Sequence, residues 1–151
     1  MRVDLLCNFK TQGGIQTDAY IKNVLIGMAS MTRKILVIDD DVTALDIVDF
    51  LFEDKGFEVI RRADGQSAID CVEDVNPDVI LVDLMMPKMN GQETVRQIRK
   101  LGLSIPIVAF TALDDPEVHQ EAVEAGCNLV LTKPCKPNLL VKHIDELLAD
   151  A

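Results

Sequence analysis

Short apolar runs alternate with helical patterns from residue 33 to residue 150, and this alternation limits the fold more than any other feature. The runs, each of strand length, are KILVI (34–38), FEVIRRA (57–63), DVILVD (78–83), IPIVAFT (105–111) and NLVLTK (128–133). After the first helical pattern, further helices are predicted at 66–74, 92–101, 116–125 and 137–149. Five strands alternating with five helices through short connections indicate a parallel sheet covered on both faces. We therefore predict an α/β fold with a doubly wound, five-stranded parallel sheet.

The first helical pattern follows KILVI directly. Its expected buried face consists of apolar residues at helical spacing: Ala44, Ile47, Val48 and Leu51. Thr43 and Asp46 have the spacing of a helix start, with a hydroxyl three residues before a carboxylate. Lys55 and Gly56 are expected to end the helix.

Residues 1–30 lack the alternation. Met28 and Met31 are alternative starts, and the regular pattern begins directly after Met31. We expect residues 1–30 to be an N-terminal extension that is disordered or not native, although IKNVLIGM (21–28) could form a short helix. Residues 31–151 are expected to form the folded domain, and no output domain is expected because the sequence ends at Ala151.

Charge and cysteine usage narrow the function classes. The net charge is −10, which disfavours direct binding to nucleic acid or to an anionic membrane surface. No stretch approaches the roughly 20 apolar residues of a membrane span. The four cysteines have no CxxC spacing, so we expect reduced thiols and a cytoplasmic location.

Chemically capable side chains stand where the predicted strands end: Asp39 and Asp40, Asp83, Thr111, and Lys133. Each has an ordinary alternative role, such as capping the next helix or forming a turn. Because the carboxyl ends of parallel strands meet at one edge, these side chains are expected to lie together. Hard carboxylate oxygens suit Mg²⁺, a further carboxylate can attack phosphorus, and an ammonium and a hydroxyl can stabilise phosphoryl oxygens. The set therefore favours phosphoryl transfer.

Four motifs in this order resemble the receiver domains of two-component response regulators. They are DD (39–40), DLMMPKMNG (83–91), TA (111–112) and KP (133–134). The resemblance covers residues 33–150 and is to the single-domain, chemotaxis-regulator type. It implies a flavodoxin-like fold with strand order 2-1-3-4-5.

The resemblance also implies roles in binding metal and phosphate. Asp83 matches the phosphoacceptor, and Asp39 and Asp40 match the acidic pair that binds Mg²⁺. The backbone carbonyl of Met85 would be a further metal ligand. Lys133 matches the phosphate-binding lysine, and its bond to the following proline is expected to be cis.

By the same resemblance, Thr111 matches the hydroxyl that switches on phosphorylation, and Ala112 the small residue that leaves the phosphoryl group room. The switched face would comprise helix 116–125, strand 128–132 and the last helix. Val130 is a departure, because the family often has Tyr or Phe there. A stiff, β-branched Val cannot reproduce an aromatic swing or offer a hydroxyl.

The resemblance implies a stand-alone phosphoacceptor module rather than a turnover enzyme. Its partners would be a sensor histidine kinase or histidine phosphotransfer protein and an unspecified downstream protein. One alternative is an interaction module of the same fold that works without phosphorylation. Another is a haloacid-dehalogenase-type phosphatase, in which Asp39 would be the nucleophile and Asp41 the acid/base. That reading lacks the further acidic pair such enzymes need and leaves Asp83 unexplained.

Overall fold

Five parallel strands form a single sheet in a computed structural model that describes residues 16–29 and 32–150. The strands are β1 (Lys34–Ile38), β2 (Glu58–Arg62), β3 (Val79–Val82), β4 (Ile107–Thr111) and β5 (Leu129–Thr132). Their order in the sheet is β2-β1-β3-β4-β5. The doubly wound α/β fold and the strand order 2-1-3-4-5 are therefore confirmed.

Six helices accompany the strands in the described part of the chain. They are α1 (Gln16–Ala29), α2 (Val42–Asp54), α3 (Gly65–Val75), α4 (Gly91–Lys100), α5 (Pro116–Ala125) and α6 (Pro137–Ala149). The bounds of α5 and α6 agree with the prediction. β4 begins two residues later than predicted. Pro106, which precedes it, has no N–H to donate, although its carbonyl accepts from the amide of Ile80.

The core lies on both faces of the sheet because successive strand residues point to opposite sides. On one face, side chains such as Leu36 and Ile80 pack with α3, α4 and α5. On the other face, Ile35 and Leu81 pack with α2 and α6. All four of these side chains are buried, as expected for central strands covered twice.

Helix α2 corrects two sequence-based predictions. Its N-cap is Asp41, whose carboxylate accepts from the amides of Thr43 and Ala44, so Thr43 does not cap the helix. Ile47, predicted to be buried, is 62% exposed. The buried face is Leu45, Val48 and Phe52. The segment VTALDIVDFLF has apolar residues around most of the helix, so helical periodicity alone does not predict which face packs against the sheet.

The chain divides into two units at the step from Thr32 to Arg33. In the first unit, α1 includes the IKNVLIGM segment, and its side chains Tyr20, Leu25 and Ile26 are exposed. The predicted extension at 1–30 falls partly outside the described residues and stays a prediction. None of the helices within residues 16–29 and 32–150 has the length and apolar character needed to cross a bilayer.

Three of the cysteines lie within the described residues: Cys71, Cys127 and Cys135 are free thiols. Cys127 is buried in the core on the α3, α4 and α5 side. Burial raises the pKa of Cys127 to about 11, so it is a packing residue rather than a reactive thiolate. Cys7 lies outside the described residues.

Arg99 ties together the end of the sheet where the strands begin. Its guanidinium donates to the carbonyls of Leu103 and Ile105 at 2.8 Å, to the carbonyl of Gly126 at 2.9 and 3.1 Å, and to the side chain of Asn128 at 3.0 Å. Asn128 in turn accepts from the amide of Ile107 at 2.9 Å. One side chain of α4 thereby fixes the segments that lead into β4 and β5.

Replacing Arg99 by Met should lower the free energy of unfolding by about 2–3 kcal/mol, because it removes a forked, charged donor from several backbone carbonyls. Chemical denaturation measures the loss. The matched control is Arg96→Met on the same helix, since Arg96 makes an exposed ion pair with Glu93 worth less than about 1 kcal/mol. Equal small losses for both variants would contradict this account of Arg99.

Candidate functional site

The sheet places the predicted site residues at one edge. Asp39 directly follows β1, Asp83 follows β3, Thr111 ends β4 and Lys133 follows β5. Backbone hydrogen bonds continue the strand pairing beyond the strands: the amide of Asp83 donates to Ile38 at 2.9 Å, and that of Lys133 to Thr111 at 2.7 Å. Parallel pairing therefore brings together residues that are distant in the sequence.

Lys133 lies between two of the carboxylates. Its ammonium Nζ is 2.8 Å from Oδ2 of Asp39 and 3.9 Å from Oδ2 of Asp83. The side chain of Asp39 is 8% exposed and that of Asp83 12%, so neither carboxylate is well solvated. The Lys133 ammonium also lies 5.2 Å from the centroid of the Phe110 ring. The ion pair offsets part of the repulsion between the buried Asp39 and the partly buried Asp83.

The remaining carboxylate oxygens are oriented by nearby amides. Oδ1 of Asp39 accepts from the amide of Asp41 at 2.9 Å, and Oδ1 of Asp83 accepts from the amide of Met85 at 3.2 Å. Each acid is thus held by its own loop on one oxygen and faces Lys133 with the other. Such fixed geometry suits a group that must present an oxygen in one direction.

Carboxylate oxygens of Asp39, Asp40 and Asp83 all lie within 4.8 Å of one another. Asp40 is exposed, Asp39 is buried and Asp83 is partly buried, so the cluster opens to solvent on one side. Mg²⁺ takes hard oxygen ligands and keeps several waters, and this donor set fits it. The role of the Met85 carbonyl stays a prediction.

The three consecutive acids divide between two roles. Asp39 and Asp40 belong to the cluster, whereas Asp41 caps α2 through hydrogen bonds of 2.9 Å from the amide of Thr43 and 3.4 Å from that of Ala44. Asp41 therefore fills the capping role considered for this segment, whereas binding of Mg²⁺ by Asp39 and Asp40 stays a prediction.

Burial raises the pKa of Asp83 above that of an ordinary aspartate, and it is the largest influence on this group. Lys133 and the amide of Met85 lower that pKa, while the charges of Asp39 and Asp40 raise it. The net direction is upward because the cost of desolvation exceeds the help from one ammonium at 3.9 Å. A cation in the cluster would reverse much of this effect.

Thr111 is fully buried at the end of β4. Its hydroxyl oxygen accepts from the amide of Leu113 at 3.2 Å, so the hydroxyl proton remains available for another acceptor. Val130, on β5, is partly buried against the core on the α3, α4 and α5 side. Its assignment as a switch position stays a prediction. The cis bond expected between Lys133 and Pro134 is confirmed.

Gly91 positions Asp83, and the sequence alone did not reveal this. The amide of Gly91 donates to Leu84 at 3.1 Å. A Cβ at Gly91 would overlap the carbonyl oxygen of Asp83 and lie 2.7 Å from the Cα of Leu84. The Asn90-Gly91 pair is a turn signal, but here Asn90 caps α4 and Gly91 lets the start of α4 press against the Asp83 segment.

Comparison with known proteins identifies the class. Residues 35–145 match the response regulator receiver domain family, and the chain belongs to this family. The structure is similar to the chemotaxis protein CheY4 of Vibrio cholerae, with a TM-score of 0.73 and 32% identity over 76% of this chain and 98% of that one.

Two further relatives show where such domains occur. The receiver domain of a signal transduction histidine kinase from Syntrophus aciditrophicus is 28% identical, with a TM-score of 0.72 over 80% of this chain and 92% of that one. The alkaline phosphatase synthesis transcriptional regulatory protein PhoP of Bacillus subtilis is 33% identical over 118 residues, which cover 78% of this chain. The aligned region spans 49% of PhoP, so this chain matches about half of that relative.

The raised pKa of Asp83 predicts a stability effect. The folded protein holds the Asp83 proton more tightly than the unfolded chain does, so wild-type stability falls as the pH rises from the ordinary aspartate pKa to the raised one. Asp83→Asn removes this loss. We expect the variant to unfold at a higher temperature than wild type at pH 7, with the advantage vanishing below the ordinary aspartate pKa. Thermal unfolding at a series of pH values measures it.

Adding Mg²⁺ should raise the unfolding temperature of the wild type more than that of Asp83→Asn, because the variant loses one charged ligand. The control is Asp74→Asn, an exposed position on α3, which should respond to Mg²⁺ as the wild type does. An equal response of Asp83→Asn and wild type, or a less stable Asp83→Asn at pH 7, would contradict the described electrostatics.

Proposed function

We propose that this chain is a stand-alone phosphoacceptor module of a two-component phosphorelay and that Asp83 receives the phosphoryl group. The observation that carries the proposal is the position of the Asp83 carboxylate. It is partly buried at a strand end, lies 3.9 Å from the Lys133 ammonium and shares a cluster with Asp39 and Asp40. The Asp83 carboxylate therefore has near it both an ammonium that can neutralise phosphoryl oxygens and carboxylates that can bind a divalent cation.

The chemistry follows from these positions. An Oδ oxygen of Asp83 attacks phosphorus, the bond from phosphorus to the donor nitrogen breaks, and the nitrogen keeps the electron pair and takes a proton. Lys133 can turn from Asp39 to the equatorial phosphoryl oxygens as their charge develops. When bound, Mg²⁺ held by Asp39, Asp40, Asp83 and the Met85 carbonyl would supply further neutralisation of that charge.

The new phosphoryl group would act on the switch. It adds about −1.5 to −2 charge and three acceptor oxygens, to which the buried Thr111 hydroxyl can donate. Movement of Thr111 and the loop that follows it would repack the face formed by α5, β5 and α6. We place the downstream partner at this face.

The geometry disfavours the phosphatase alternative. That mechanism needs Asp41 as a mobile acid/base, but the Asp41 carboxylate is engaged at the start of α2. The module that works without phosphorylation is disfavoured because three carboxylates, those of Asp39, Asp40 and Asp83, lie together with only the Lys133 ammonium to offset them, a costly arrangement that such a module would not need.

The direct test is phosphorylation of purified protein by acetyl phosphate, followed on phosphate-affinity gels. We expect one phosphoryl group on the wild type with Mg²⁺, little with a chelator and none on Asp83→Asn. Lys133→Met should react about a hundredfold more slowly, because it lacks the cation that meets the developing charge. Labelling of Asp83→Asn at the wild-type rate would overturn the proposal, and an unlabelled wild type would favour the module that works without phosphorylation.

A surface of α2 supports docking of a protein phosphodonor beside the site. Val42, Ile47 and Phe50 are 62%, 62% and 78% exposed and lie on one side of the helix, Ile47 and Phe50 being neighbours at i and i+3. Val42 is two residues after Asp40, so this apolar patch borders the cluster. Its proposed occupant is an apolar helix face of the histidine kinase or phosphotransfer protein.

The donor for this test is a histidine kinase or phosphotransfer protein that labels the wild type. Phe50→Ala should slow phosphotransfer from this donor about tenfold, because a large aromatic anchor is lost. Labelling by acetyl phosphate should not change, since the small donor needs no docking surface. Leu101→Ala is the matched control, because Leu101 is also exposed but follows α4 at the end distant from the site. A Phe50→Ala variant that reacts normally with the protein donor would contradict this docking surface.

A further inference from the structure

A loop of four residues, 112–115, joins the switch residue Thr111 to α5. Within this loop, both the amide and the carbonyl of Leu113 are hydrogen-bonded to side chains. The amide of Leu113 donates to the hydroxyl oxygen of Thr111 at 3.2 Å. The carbonyl of Leu113 accepts from Nε2 of His119 at 2.7 Å. Because a carbonyl can only accept, Nε2 of His119 carries the proton in this contact.

His119 lies on α5, a helix with a capped N-terminus and side chains packed in the core. It lies in the first turns of α5, whose N-cap Asp115 accepts from the amide of Glu117 at 2.8 Å. One turn further along α5, Ala122 is fully buried, and Val118 packs against the same core. The imidazole therefore ties the Leu113 carbonyl to α5 in the described arrangement, and a movement of the loop relative to α5 strains this contact.

We infer that His119 is a positioning residue that latches the switch loop in its unphosphorylated arrangement. The inference rests on the proposed function, because it concerns the movement of Thr111 toward a phosphoryl group on Asp83. Under this inference, the His119 hydrogen bond contributes part of the free energy that is needed to move the loop.

The geometry gives the direction of the effect. A Thr111 hydroxyl that moves to a phosphoryl oxygen draws Leu113 with it, because the Leu113 amide is hydrogen-bonded to that hydroxyl at 3.2 Å. The His119 contact at 2.7 Å holds the Leu113 carbonyl, and a hydrogen bond weakens steeply when its atoms separate or tilt. A ligand that selects the moved loop must therefore break or strain this contact, and its apparent affinity falls with the fraction of molecules in the moved arrangement.

His119→Phe keeps an aromatic ring and removes the donor. The probe is beryllofluoride with Mg²⁺, which caps an aspartate oxygen as a phosphoryl group does. The chain has no Trp, so the titration is followed by amide NMR at Leu113 and neighbouring residues. We expect His119→Phe to bind the probe with a dissociation constant about fivefold lower than wild type, the effect of one ordinary hydrogen bond.

Two variants make the result specific. His119→Gln places an amide donor near the position of Nε2, and it should return the dissociation constant to within about twofold of wild type. Asp83→Asn should not bind the probe. An unchanged or higher dissociation constant for His119→Phe would overturn the latch, as would a His119→Gln variant that tightens as much as His119→Phe.

A measurement on the wild type does not depend on the folding of any variant. Nitrogen NMR of the imidazole should show the proton on Nε2, with a coupling across the hydrogen bond to the Leu113 carbonyl that is lost in the beryllofluoride complex. A coupling retained in the complex would contradict the latch. Failure of the wild type to bind the probe would instead overturn the proposed function and the latch with it.

Discussion

The ion pair between Lys133 and Asp39, 2.8 Å long and largely shielded from water, is the interaction on which the site depends. A buried carboxylate without a partner is costly, and two adjacent ones repel. The parallel sheet brings acids from β1 and β3 to one edge and the compensating ammonium from the end of β5. The same arrangement leaves Asp83 only partly compensated, since Lys133 is 3.9 Å away. Asp83 is thus the acid whose environment gains most from an added cation or a new bond.

The sheet and its edge could be predicted from the sequence because both depend on local signals. Apolar runs of strand length recur between helical patterns, and a parallel sheet gathers all its carboxyl ends at one side. The positions of Asp39, Asp83, Thr111 and Lys133 follow from that rule alone. Their individual roles came from the family resemblance, and membership of the receiver domain family is established over residues 35–145.

The sequence-based predictions failed or were silent in two situations. In one, the sequence pattern fits more than one buried face. In the other, a residue's role depends on contacts that form only in the folded structure. In α2, the apolar residues outnumber the positions that can be buried. The pattern therefore predicts that Ile47 is buried, although it is exposed. Gly91 has the sequence signature of a turn, but its importance lies in a backbone approach that is seen only once α4 packs on the Asp83 segment. No motif in the sequence points to His119. Its contact with the Leu113 carbonyl depends on how the loop after β4 folds back on α5.

The most direct test of the central claim is the location of the phosphoryl group. Wild-type protein is phosphorylated by acetyl phosphate with Mg²⁺ and reduced with borohydride, which converts a phosphorylated aspartate to homoserine, and its peptides are sequenced by mass spectrometry. The described charge arrangement predicts homoserine at position 83 and unmodified aspartates at 39 and 40. Homoserine at position 39 with an unmodified Asp83 would contradict it.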